Sequence, residues 1–257
     1  MTVRLSTGLR AAINGSLGFA GAFNLGSISI YTGSQPATAD SAASGTLLGT
    51  VTAASGALTP ETQASQTITV AGSAGSIDTV TVSTLNIIPA GAVPFRTDAA
   101  TTAGDLSKAI NRAGLFTSTV SGAVVTVRPR PGVGAAFNGA AFATTVTTLT
   151  ATVGAATLSG GVSVVNGLIF DEPAAGSIMK PSTAIWSFAG IAAGTAGWFR
   201  MLGSVSDPGT LISAAPYYAR LDGSIAVSGG NMNLSNIAVS IGAPNTVDSF
   251  TYTTPAQ

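Results

Sequence analysis

The chain contains neither cysteine nor histidine. Without cysteine there is no disulfide framework and no thiolate nucleophile. Without histidine the commonest general base and the usual zinc ligands are missing. Charge is scarce as well: ten basic and ten acidic side chains in 257 residues, with a formal net charge of zero. No basic surplus is available to neutralise phosphates, so recognition of nucleic acid by electrostatics is not expected. No polybasic cluster favours anionic lipid, and no apolar run reaches the roughly 18 residues of a membrane-spanning helix. Lys108 and Lys180 are the only lysines, which leaves few bases to activate any of the many serines.

What is abundant is small. Ala, Gly, Ser and Thr dominate, with 32 glycines. Thr and Val with little charge point to β-structure. A surface without net charge resists self-association poorly, a hint of an assembled protein. The length allows one or two domains. The N-terminal "MTVRLSTGLRAAINGSLGFAGAF" resembles a signal peptide only superficially, because Asn14 and the glycines interrupt its apolar part. Two short helical turns, roughly 6–14 and 16–23, are expected instead.

Three sections follow along the chain. The first, 1–62, offers strands at 27–32 and 46–53 around a polar loop, 33–45. The second, 63–162, alternates polar and apolar residues through "QTITVAG" and "IDTVTV". It then changes period: Leu106, Ala109, Ile110 and Ala113 predict a helix over about 102–113, with Thr101 or Thr102 as N-cap and Gly114 as C′. Ser121–Gly122 joins two strands as a tight hairpin. The third, 163–257, predicts strands at 163–170, 183–188, 196–203, 216–221, 236–241 and 246–253. Two strands alone are marginal in water, so sections one and three are expected to combine. The expected fold is mainly β: a discontinuous β-sandwich, jelly-roll or Ig-like, formed by 1–62 and 163–257, with a small α+β domain, 63–162, inserted.

Few residues invite chemistry. Asp171–Glu172 precedes Pro173 and reads as a solvated turn, since neighbouring carboxylates cannot straddle a scissile bond. Asp207–Pro208–Gly209 and Leu221–Asp222–Gly223–Ser224 read as turns. "GVGAAFNG" at 132–139 lacks the context of a phosphate loop. "RPRP" at 128–131 reads as a solvated strand end. In "TAGWFRM", Trp198 and Phe199 point to opposite faces of a strand and Arg200 returns to the Trp198 face. Trp198, Arg200, Tyr217 and Tyr218 are therefore candidates for an intersubunit contact, with a Trp anchor for the core as the alternative. No catalytic, cofactor or metal residue is expected.

Several segments, in order, carry a family resemblance. "IYTGSQPATADSAASGTLLGTVT", "AIWSFAGIAAGTAGWFRM" and "ARLDGSIAVSGGNMNLSNIAVSIGAPNTVDSFTYTTP", with "STGLRAAI" before them, resemble virion structural proteins of tailed bacteriophages. The likeness covers about 27–58 and 164–255. The middle section looks like the small β-rich modules inserted in phage decoration and tail proteins. The resemblance implies a non-enzymatic structural component of the virion, made in the host cytoplasm. Such a protein would serve in capsid decoration or as a tail or tail-tip component, and act by assembly with itself and other virion proteins. The competing readings are a glycan- or host-surface-binding module on a tail fibre, using Trp198, Tyr217 or Tyr218, and a polymer hydrolase, for which the carboxylates are too few.

Overall fold

The computed structural model describes residues 3–14, 17–212 and 218–253. The chain is mainly β, its strands gathered into several predominantly antiparallel sheets. It divides into two compact units, Met1–Pro60 with Val164–Gln257, and Glu61–Ser163.

The first unit is built on one hydrogen-bonded sheet. Its strands follow the spatial order Arg4–Leu5, Arg220–Ala226, Gly194–Leu202, Ser27–Thr32, Leu47–Ala53, Trp186–Ala189 and Pro244–Thr246. Met232–Asn233 and Ala238–Val239 pair at its margin, and a separate pair joins Ser177–Met179 to Thr251–Thr253. Strand side chains alternate between faces, and the registers sort them cleanly. Val51, Ile28, Met201, Leu221 and Leu5 form one row across five strands. Ile30 and Phe199 form the next row on the same face. This apolar face is buried together with Leu9 and Phe23, from the helices Thr7–Asn14 and Gly18–Phe23, and with Leu168, Trp186 and Phe188. Burying so many aliphatic and aromatic side chains drives assembly of the unit, at about 1.5–3 kcal/mol for each large one.

The opposite face carries the other half of the alternation. Thr50, Ser29, Arg200, Asp222 and Arg4 lie in one row, flanked by Tyr31, Trp198 and Ser224 on one side and Ser27, Leu202 and Arg220 on the other. This face is polar, yet it is not in water. Ser27, Ser29, Arg200, Arg220, Asp222 and Ser224 are all buried.

Several elements differ from their sequence expectation. The 163–170 segment holds only isolated bridges, Gly26 with Leu168 and Thr59 with Val165. The 246–253 segment divides into Pro244–Thr246 and Thr251–Thr253. Leu221–Asp222–Gly223–Ser224, expected as a turn, is the middle of the strand Arg220–Ala226. Asp222 is held in the sheet by its side-chain partner. Gly223 is needed there because a Cβ would lie 2.6 Å from the Phe199 ring.

The second unit pairs Gln66–Ala71 with Val124–Pro129 and Thr150–Val153, and Ser76–Val82 with Phe142–Thr147. The Phe116–Ser121 and Val124–Pro129 hairpin turns at Gly122–Ala123, one position later than expected because Ser121 pairs with Val124, and Gly122 takes φ 55°. The helix Ala99–Ala113 sets Ala103, Leu106 and Ile110 into the core beside Ile68, Val80, Val125 and Phe142. It begins earlier than the period alone indicates, because Asp98 is the N-cap: its carboxylate accepts the Thr101 N–H at 2.7 Å. Gly114 ends it in the left-handed conformation, φ 86°.

Candidate functional site

The buried polar face of the first unit gathers most of the chain's unusual chemistry. Gly194–Leu202 and Arg220–Ala226 are central strands, so residues 200, 220 and 222 are fixed by backbone pairing on both sides. Arg200 donates to Asp222 in bidentate fashion, Nε to Oδ1 and Nη2 to Oδ2, both at 2.7 Å. Arg220 engages Asp207 in the same geometry, again with both distances 2.7 Å. These side chains are at most 4 % exposed. Such paired, fork-shaped contacts are the strong form of the charge-assisted hydrogen bond.

The third guanidinium nitrogen of each arginine, Nη1, donates to main-chain oxygens of the loop 33–45. Arg200 Nη1 donates to the Ser41 carbonyl at 3.0 Å, and Arg220 Nη1 donates to the same oxygen at 3.2 Å and to the Asp40 carbonyl at 3.3 Å. Arg4 Nη1 donates to the carbonyls of Gln35, at 3.2 Å, and Pro36. Trp198 Nε1 donates to the Ser44 carbonyl at 3.2 Å. The loop therefore turns its carbonyls inward, onto a row of cations and one indole. It leaves the sheet beside Gly197, where the ladder shifts register and any Cβ would collide with the Gly33 carbonyl oxygen. The Asp40 carboxylate accepts from the Thr7 N–H at 2.9 Å and the Thr7 hydroxyl at 2.8 Å, tying the loop to the first helix. Burial pushes the Asp222 carboxyl above the usual carboxylate range, against the pull of the Arg200 guanidinium.

The interface candidates fall differently from their expectation. Trp198 is 0 % exposed: Tyr31 stacks on it with ring centroids 4.5 Å apart, and the Arg200 guanidinium lies 5.4 Å from its centroid. Arg200 is 1 % exposed. Neither faces outward, because the chain's own loop takes the place expected for a partner. Tyr217 lies outside the described residues. Tyr218 is half-buried, and its carbonyl accepts the Ser6 hydroxyl at 2.8 Å. A shallow aromatic site for a glycan on Trp198 is thus closed in this conformation. Sequence reasoning misses Arg220 and Asp40, and it takes Asp207 and Asp222 for turn residues where the structure places both carboxylates in buried ion pairs. Their signal was present, since Arg220 and Asp222 stand two apart, on one face, inside an apolar alternation where a charge needs a partner.

Elsewhere, the Gly-rich segment does bind an anion, but the chain's own. Gly132 and Gly134 N–H groups donate to the two oxygens of Glu61 at 2.5 and 2.8 Å. Arg128 reaches the Thr119 hydroxyl at 3.4 Å, while Asp171 and Glu172 are exposed. Among the described residues no cluster of acidic side chains gathers to hold a metal ion. An open apolar groove of about 450 Å³ runs past Leu25, Ala53, Ile169, Ile185 and Trp186. The buried Trp186 Nε1 has no hydrogen-bond partner among the described residues.

No protein-family model matches the chain, and no curated protein matches it.

Proposed function

We propose that the chain is a non-enzymatic structural component of a tailed-bacteriophage virion, acting by assembly with copies of itself and with other virion proteins, in capsid decoration or in the tail. The resemblance of 27–58 and 164–255 motivates this reading. With it go the finer architecture, a jelly-roll or Ig-like sandwich with 63–162 as an inserted module, and a location in the virion.

The observation that carries it furthest is an inversion of the usual surface. Arg4, Arg200, Arg220, Asp40, Asp207 and Asp222, six of the chain's twenty charges, are spent on internal contacts. Bulky aliphatic side chains stay outside on the same unit: Ile185, Ile191, Leu211 and Ile241 are each more than 60 % exposed. Hydrogen bonds between Gly190 and residues 242–243 bring the turns bearing Ile191 and Ile241 together. Inward charge and outward aliphatic surface suit a subunit that becomes covered on assembly. Mass spectrometry of separated heads and tails from purified virions tests the reading. Recovery of the chain at a fixed copy number in one fraction is expected, and its absence from both would overturn the proposal.

A further inference from the structure

The loop 33–45 and the segment 204–212 are laced to each other as well as to the sheet beneath them. Ala43 N–H donates to the Gly209 carbonyl at 3.4 Å, and Ile212 N–H donates to the Asp40 carbonyl at 2.9 Å. Both segments depend on Arg220, which holds the Asp207 carboxylate of one and the Asp40 and Ser41 carbonyls of the other. The Ser41 carbonyl also accepts from Arg200, so the two arginines meet on a single oxygen.

The adhesion between these segments and the sheet is almost wholly polar. Of their apolar side chains only Ala39 and Ile212 are buried, at 1 and 9 % exposure. The strands underneath are held by the large side chains of the opposite face, Ile28, Ile30, Phe199 and Met201. The two layers thus have different sources of stability, and the weaker one can open without the stronger. The two ion pairs also differ in kind. Arg200 and Asp222 both stand on strands, so their pair survives such an opening. Asp207 belongs to the covering segment, so its pair with Arg220 breaks.

We propose that 33–45 and 204–212 are one cooperative strap, bolted by Arg220–Asp207, that opens as a unit and uncovers the Trp198, Arg200, Arg220 and Asp222 row as a preformed charged and aromatic face. The inference is independent of the virion reading, since it rests only on contacts within the first unit.

Hydrogen–deuterium exchange on the full-length chain, comparing wild type with Asp207→Asn, tests it. Asn keeps the shape of Asp207 but loses the charge-assisted fork. Amides of 34–46 and of 205–212 should exchange faster together, by at least about tenfold, with Ala43 and Ile212 as reporters. Amides of Ser27–Thr32 and Gly194–Leu202 should keep their protection. In a Trp186→Phe background, acrylamide should quench Trp198 more strongly in the variant. Faster exchange confined to 205–212, with 34–46 unchanged, would overturn the proposal. So would strands and strap exchanging at one common rate, the mark of global unfolding.

Discussion

Replacing Arg200 by Met removes half of a bidentate pair and leaves the Asp222 carboxylate buried without its cation. The expected loss is about 3–5 kcal/mol, read from urea unfolding, whereas removing both charges with Arg200→Met and Asp222→Leu should restore much of it. Gly223→Ala probes the other face, where a Cβ would stand 2.6 Å from Phe199. Overpacking of that kind costs about 1–3 kcal/mol and should lower the urea midpoint. Carboxylates should titrate in opposite senses. Asp98 is held below the ordinary range by the Thr101 N–H, and Asp222 is raised by burial. Carbon-13 detected titration should place Asp222 above the usual value of about 3.9 and Asp98 below it. At this scale the sequence disclosed which side chains share a face, because period two is a local property. It did not disclose that the face of Trp198 and Arg200 is covered. Over those two side chains the cover is the loop 33–45, more than 150 positions away and held mainly through carbonyl oxygens that every residue possesses. Asp222–Gly223 was misread for the same reason: Asp–Gly favours a turn locally, and a distant guanidinium decides otherwise.

Among the elements, the core-facing period of the helix Ala99–Ala113, its end at Gly114 and the hairpin that follows were legible, since their signals lie within a few positions, whereas the N-cap is Asp98 and not Thr101 or Thr102. The anchoring of the segment 132–134 was not legible, because its ligand, Glu61, lies about seventy residues earlier. Glu61→Ala would leave two N–H groups unpaired, one of them on buried Gly134. A loss on the order of 1–3 kcal/mol is expected, seen as a lower midpoint for the second unit. The same unit should be acid-sensitive. Asp78, Asp98 and Asp105 all have lowered values, the largest causes being hydrogen bonds from Ser76, Thr101 and Lys108. A carboxyl depressed by folding adds stability above its unfolded value, and that stability is lost as pH falls through the folded value. The helix should therefore loosen below about pH 4, whereas the penalty of ionised Asp222 in the first unit is relieved on the same descent. Circular dichroism at the helix band against pH measures the first effect.

For the whole molecule, two separate cores predict that unfolding is not a single two-state event. Calorimetry should give an enthalpy larger than its van't Hoff value. Glu61→Ala and Arg200→Met should displace different parts of the transition, and a single transition shifted equally by both would count against independent units. The strap carries a further consequence for how the chain tolerates change. It is gripped mostly by its main-chain carbonyls, and a carbonyl is the same whichever residue bears it. Ala37 and Ala42, exposed on its outer side, are therefore free to vary, while Arg200, Arg220, Asp207 and Asp222 are not. A saturation-mutagenesis map should be nearly flat at the two alanines and steep at the four charges, which makes the outer rim of this loop a place to graft a foreign peptide without disturbing what lies under it.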